Sequence, residues 1–439
     1  MNKKSFHLEG NYAPVTREVT AENLAVRGAI PRELSGLYLR NGPNPRSGTS
    51  SHWFFGDGML HGVALGDGAV RWYRNRWVRT KTFLEGAAVV SPMGDVDRSA
   101  GPANTHVIEH AGRLFALVES SYPIEVTRDL DTVGVCDFGG KLQTAMTAHA
   151  KRCPRTGELH FFGYGFLPPY LVYHVLDANG RLVRSEEIAV AGPTMIHDFV
   201  ITDRYAIFMD LPVCFDIERA MRGSMPYRWN DDYGARIGVT PRDGTDRETR
   251  WFEVDPCYVF HPMNAYEHAG GKIVVDVARY ETLWRDTADR FDAARLHRWT
   301  IDVGAGLVTE APLDDRTIEF PRVDERRTGR GNRYGYAVVN PGGGVTQPAT
   351  KLVKYDLQSG RVDEHDFGPG RVPGEGVFAP ASESAGEDEG WLLTYVYDAN
   401  DNASDFVVLD AQQFGDAPVA VVRLPQRVPY GFHGSWIPD

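Results

Sequence analysis

Cysteine is scarce in this 439-residue chain, and Cys136, Cys153, Cys214 and Cys257 lie far apart with no CxxC pair. That spacing argues against a zinc knuckle and offers no disulfide framework, so a reducing cytoplasm is the expected compartment. No stretch of 18 or more apolar residues runs free of charge, so no bilayer-spanning segment is expected and any membrane contact is expected to be peripheral. After Lys3 and Lys4, FHLEGNYAPVTREV has neither a continuous apolar region nor a small-residue cleavage site, and no secretion signal is expected. Positive charge is in deficit: 47 Lys+Arg against 59 Asp+Glu leave a net charge of -12. An anionic polymer would be repelled, which excludes nucleic acid as the expected partner. No glycine-rich phosphate fingerprint follows a strand, so neither a flavin nor a nicotinamide is expected. Linkers and low-complexity tracts are missing too, and residues 1–439 read as one domain.

What the chain has is strands. Short β-branched or aromatic runs recur behind turns rich in Gly, Asp or Asn: GRLFALVE (112–119), GELHFFGYGF (157–166), DRYAIFMDLP (203–212), GGKIVVDVARY (270–280), NRYGYAVVN (332–340) and EGWLLTYVYD (389–398). Their starts are 45, 46, 67, 62 and 57 residues apart, about one propeller blade per interval, the longer ones carrying an insertion. Closed β architectures grow by adding strands around one centre, which reconciles this length with one domain. Helical spacing is confined to residues 281–296, where Leu283, Thr287, Phe291 and Ala294 recur, and to residues 214–223. Both predict excursions above the propeller face, where a lid or tunnel would be built.

Three histidines hold the same place in consecutive units: His149 is 8 residues before Gly157, His197 is 6 before Asp203, and His261 is 9 before Gly270. The first strand of each blade lines a propeller's axis, so equivalent positions converge. His433, in GFHGSWIP, lies where a C-terminal segment commonly completes the ring. Four imidazoles suit iron, copper, nickel or zinc by ligand type alone. Each metal-bound imidazole needs an acceptor for its other N–H, a role suited to Glu119, Glu319 and Glu375. His52, His61, His106, His110, His160, His174, His268, His297 and His365 lack the regularity and are read as structural.

The ordered blocks LEGNYAPV (8–15), LSGLYLRNGPNP (34–45), HWFFGDGMLHGV (52–63), NTHVIEHAGRLFALVE (104–119), AHAKRCPRTGEL (148–159), MIHDFVITDRY (195–205), FHPMNAYE (260–267), EFPRV (319–323), GEGVFAP (374–380) and GFHGSW (431–436) carry a resemblance that runs nearly end to end. The chain resembles the carotenoid cleavage oxygenases, which include apocarotenoid oxygenases, stilbene-cleaving oxygenases and the retinal pigment epithelium isomerase. The resemblance implies an all-β, seven-bladed propeller with a helical and loop cap over an axial metal site. It implies one Fe2+ on His149, His197, His261 and His433, with Glu119, Glu319 and Glu375 holding three of those imidazoles. Thr105 matches a residue whose methyl crowds one of the two remaining coordination positions, leaving O2 a restricted place.

Two departures bear on substrate. Stilbene-cleaving members carry a lysine before the glutamate matching Glu119, with an upstream tyrosine, to anchor a phenol oxygen; here that place is Val118, and residues 81–104 contain no tyrosine. Gly376 stands where many relatives have proline. The implied reaction is cleavage of a conjugated C=C bond of an apocarotenoid or carotenoid by O2, giving two carbonyl products. The alternatives are cleavage of a phenylpropanoid or stilbene alkene, non-oxidative isomerisation, and a non-catalytic propeller scaffold. Phe54, Phe55, Phe260 and Phe432, with Val118, are the expected tunnel walls, and FGYGFLPPYLVYHV (162–175) is a candidate apolar rim.

Overall fold

The computed structural model describes residues 5–91, 94–285, 287, 291–340 and 348–439. All six runs read from the sequence are strands, at Arg113–Leu117, Leu159–Tyr164, Tyr205–Asp210, Lys272–Tyr280, Tyr334–Val339 and Gly390–Asp398. Each is rich in β-branched and aromatic residues that fit a pleated surface buried on both faces. The chain divides into two compact units, one of residues 1–140, 350–354 and 362–439, the other of 141–349 and 355–361.

The first unit holds three antiparallel sheets. One runs in the order Thr20–Ala21, Ala69–Trp77, Gly58–Gly66, Gly36–Pro43, Gly434–Pro438. The last strand comes from the far end of the chain and pairs Leu37 with Ile437 and Arg40 with Gly434. The C-terminal segment therefore completes a sheet begun near the N-terminus, as expected. Gly42 makes room for it: a Cβ there would lie 2.8 Å from the Gly431 Cα. The second sheet is His106–His110, Arg113–Leu117, Ile124–Val126, Thr132–Val135. The third runs Val26–Gly28, Ala420–Arg423, Ala403–Asp410, Gly390–Asp398, with Arg371–Pro373 and Val377–Pro380 both on Gly390–Asp398. Tyr38 stands at its core, with ring centroids 5.0 Å from Tyr395 and 5.3 Å from Phe406; each such buried ring contributes about 2–3 kcal/mol.

The second unit holds the sheet Lys151–Arg152, Leu159–Tyr164, Leu171–Leu176, Leu182–Glu187 and the sheet Val200–Ile201, Tyr205–Asp210, Arg236–Pro241, Arg250–Glu253. A two-stranded ribbon, Val213–Phe215 with Tyr227–Trp229, accompanies them. A seven-stranded sheet begins with Tyr258–His268, Lys272–Tyr280, Ala294–Asp302, Leu307–Arg322 and Tyr334–Val339, and its order continues to Lys351–Asp356 and Arg361–Asp366. The 16-residue strand Leu307–Arg322 serves two neighbours, pairing Leu307 to Pro312 with Ala294–Asp302 and Ile318 to Arg322 with Tyr334–Val339. That sheet is thus two blade-sized sets sharing one strand, and among the described residues the antiparallel sets of four or more strands number seven. The fold is the all-β propeller that the strand spacing predicted.

One expected helix is overturned. Residues 281–285 are bends and irregular backbone, residues 286 and 288–290 lie outside those described, and Ala294–Asp302 is a strand. Trp284 has φ +53°, a left-handed conformation that interrupts a helix. Of the recurring residues Leu283, Phe291 and Ala294 are buried and Thr287 is exposed, and the neighbouring Trp284 is buried too, so the apolar ones mark core packing and not a helical stripe. The other expectation survives as the five-residue helix Ile217–Met221, capped by Asp216, whose carboxylate accepts the Arg219 N–H.

Candidate metal centre

Each of the four histidines stands where a strand begins or is offset. His149 lies two residues before the edge strand Lys151–Arg152, and His197 three before Val200–Ile201. Thr147 ties their loops together: its Oγ1 accepts the His149 N–H at 3.1 Å and donates to the His197 carbonyl at 3.3 Å. His261 lies inside Tyr258–His268 at a register shift between Val259 and Pro262, where the bulge turns its ring away from the ladder. His433 precedes Gly434–Pro438, its N–H donated to the Thr105 carbonyl at 3.1 Å and its carbonyl accepting the Asn41 N–H at 3.0 Å.

The four rings offer ligand atoms that all lie within 4.8 Å of one another. His149 Nε2 is 3.0 Å from His197 Nε2, and the His261 ring centroid is 5.1 Å from each of theirs. His149, His261 and His433 are each 6% exposed or less. His261 Nδ1 lies 2.6 Å from Glu319 Oε2, and His433 Nδ1 3.0 Å from Glu375 Oε1. A carboxylate on Nδ1 keeps the proton there and leaves the Nε2 lone pair for a cation. Convergent imidazole nitrogens, two with carboxylate-fixed tautomers, are a donor set that a divalent transition metal fits. Both glutamates are buried and each also accepts a backbone N–H: Phe320 at 2.7 Å on the same Glu319 oxygen that faces His261, and Gly434 at 2.8 Å on the other oxygen of Glu375.

The remaining expected residues are placed as follows. Glu119 is half-buried in the turn after Arg113–Leu117, beside the buried Val118. Thr105 is buried, its hydroxyl donated to Asn104 Oδ1 at 3.1 Å. Phe432, next to His433 in the chain, packs on Trp53 at 4.7 Å and on Phe54 at 5.5 Å in an aromatic row. Phe260 sits 5.1 Å from the His197 ring but is also enclosed by Tyr258, Tyr280, Trp284 and Phe291. Phe55 is 44% exposed and stands apart from that row, against His52. Other histidines serve structure: His61 meets the Tyr73 hydroxyl at 2.9 Å, and His160 that of Tyr173 at 2.6 Å.

Two residues escaped the sequence reading. Asp198, next to His197 in MIHDF, is buried with its Oδ2 3.5 Å from His149 Nδ1, too long for a strong bond, and takes Lys151 Nζ at 2.8 Å on Oδ1. Burial raises its carboxyl above the ordinary range, opposed by Lys151. Tyr280 donates its hydroxyl to Glu319 Oε1 at 2.5 Å. Adjacency to His197 was the available signal for Asp198; Tyr280 offered none beyond its place at the end of a strand.

Comparison with known proteins agrees with this geometry. The family model described as retinal pigment epithelial membrane protein matches residues 12–438. The chain is 40% identical to a carotenoid cleavage oxygenase of Mycobacterium tuberculosis, over 98% of this chain and 97% of that one. It is 34% identical to a carotenoid 9,10(9',10')-cleavage dioxygenase of Arabidopsis thaliana, over 99% and 90%. Among solved structures, the lignostilbene dioxygenase of Pseudomonas brassicacearum superposes with a TM-score of 0.90 at 30% identity, over 99% of both chains. A variant of the Synechocystis apocarotenoid oxygenase gives 0.88 at 29%, over 98% of both. With a family match that begins at Tyr12 and ends at Pro438, the chain belongs to the retinal pigment epithelial membrane protein and carotenoid cleavage oxygenase family.

Proposed function

We propose that this chain is a non-haem iron(II) dioxygenase that cleaves one C=C bond of an apocarotenoid or carotenoid with O2, releasing two carbonyl products. The observation that carries the reading is the all-imidazole ligand set, with atoms within 4.8 Å and no carboxylate among them. The named activities of the Mycobacterium and Arabidopsis relatives support it. Bound Fe2+ supplies a redox-active cation at which O2 and an electron-rich alkene meet, so no external reductant is needed.

The protein's own part is holding and placing. His149, His197, His261 and His433 bind the ion, and Glu319 and Glu375 keep the Nδ1 protons in place, with Glu119 assigned the same duty. Thr105 narrows the open side, its hydroxyl being committed to Asn104. Phe54 and Phe432 guide the polyene so that one double bond is presented, a gain from orientation and not from acid or base chemistry. Val118 leaves no cation for a phenolate, which favours an apocarotenoid over a hydroxystilbene.

A long isoprenoid partitions into bilayers, and the reading places the protein in the cytoplasm with peripheral membrane contact. Leu167, Ile217 and Met221, 60% exposed or more, are its candidate docking side chains, and Phe166, next to Leu167, stacks on Phe215, two residues before Ile217. Oxygen uptake by the iron-loaded protein with an apocarotenal and with resveratrol tests the whole. Two carbonyl fragments from the apocarotenal are expected. Aldehydes from resveratrol alone would reverse the substrate assignment, and turnover without O2 consumption would make the chain an isomerase.

A further inference from the structure

We infer that Tyr280 is a positioning residue for the metal centre, acting on His261 through Glu319; this rests on the reading of His261 as a metal ligand. Tyr280 ends the strand Lys272–Tyr280 and is fully buried. Its hydroxyl lies 2.5 Å from Glu319 Oε1, while Glu319 Oε2 takes His261 Nδ1 at 2.6 Å and the Phe320 N–H at 2.7 Å. Tyr280, Glu319 and His261 thus form one line from the blade core to the ligand ring, joined at Glu319 by the Phe320 N–H.

The backbone around Glu319 shows why the line needs its outer anchor. Phe320 has φ +51°, a left-handed conformation that costs a non-glycine residue about 1 kcal/mol or more. The register between Leu307–Arg322 and Tyr334–Val339 slips between Glu319 and Arg322. Glu319, paired with Val338, is therefore the last residue before the ladder breaks, and its carboxylate must be oriented by what it touches. The phenol occupies one oxygen, so the other is the one presented to the imidazole. Burial keeps the Tyr280 phenol far above its ordinary range, so it remains the donor. The line also spreads the carboxylate's charge over three donors, limiting how strongly Glu319 pulls the proton from His261.

Tyr258 provides the internal control. It pairs with Tyr280 across the strands and is equally buried, but its hydroxyl donates to the Met195 carbonyl at 3.1 Å and not to Glu319. Y280F and Y258F each remove one buried hydroxyl, and only the first touches the line to His261.

The test is Co(II) titration of the metal-free full chain, read by chelator competition and by the cobalt d–d absorption bands. Y280F is expected to weaken Co(II) binding about tenfold and shift the bands, and Y258F to leave both at wild type. In an E319Q background the Y280F change is expected to add nothing, because the residue acts through that carboxylate. Equal behaviour of Y280F and Y258F, or full additivity with E319Q, overturns the inference. Should Y280F not fold, 3-fluorotyrosine at position 280 keeps the shape and alters only the donor; an unchanged spectrum and affinity there overturns it as well. H261A separates the underlying reading: wild-type Co(II) binding in H261A rejects His261 as a ligand, whatever Tyr280 does.

Discussion

Replacing Glu375 by glutamine probes the centre with one atom changed. Glu375 receives two donors on its two oxygens, His433 Nδ1 at 3.0 Å and the Gly434 N–H at 2.8 Å. An amide has one acceptor, so whichever way it is turned one of those donors faces an NH2 group. Losing a hydrogen bond to a charged acceptor costs about 1.5–3 kcal/mol. If the imidazole bears the loss, the Nδ1 tautomer is no longer held and metal affinity falls about 10- to 100-fold. If Gly434 bears it, about 1–3 kcal/mol disappears from folding, because that N–H is buried at the start of the strand pairing with Gly36–Pro43. Anaerobic Fe(II) binding by chelator competition and the thermal midpoint of the metal-free protein are therefore measured together. E375Q with iron affinity within about twofold of wild type and an unchanged midpoint would refute the reasoning.

Acid weakens the fold through histidines outside the four-imidazole cluster: burial holds His160 down to about 3, with Arg242 adding, and His174 down to about 4. The unfolded chain then binds more protons than the native one below about 6.5, so stability is full above that pH and lost as pH falls toward those values, about 2 kcal/mol per imidazole between pH 7 and 5; urea midpoints at the two pH values check it, and His160→Asn should flatten the slope. Lys151→Met leaves Asp198 buried without its cation and should cost about 3 kcal/mol, read by urea unfolding, with no loss if the pair is ornamental. Ile437→Asp puts a charge where a 5% exposed residue pairs with Leu37, and should lower the thermal midpoint by 10 °C or roughly more; a change under about 2 °C would mean the closing strand contributes little.

Strand positions were legible because local rules agree with the fold: a turn glycine or aspartate followed by β-branched and aromatic residues forms a buried strand wherever it falls. The run 270–280 shows this, having emerged as Lys272–Tyr280. The stretch 281–296 shows the converse, since the apolar residues at helical spacing there, Leu283, Phe291 and Ala294, are buried by the tertiary core and their neighbour Trp284 adopts a left-handed backbone. The placement of His149, His197 and His261 was legible for the same reason as the strands, because each precedes or occupies the opening strand of a repeated unit, and His433 was reached through the C-terminal segment that completes the first sheet. Glu319 and Glu375 were reachable through their type and the family motif, but not their pairing: each lies 58 residues from its imidazole.

The polymer's order of residues by itself determined the repeated antiparallel sheets, the C-terminal strand returning to the first one, and imidazoles at equivalent points of separate units. Tertiary structure alone decided which carboxylate meets which ring, that Asp198 faces Lys151 and His149, and that Tyr280 stands behind Glu319. Those contacts join residues 39 to 58 positions apart, and nothing local encodes them, because a side chain's partner across a packed interior depends on register shifts and bulges that only the assembled sheets impose.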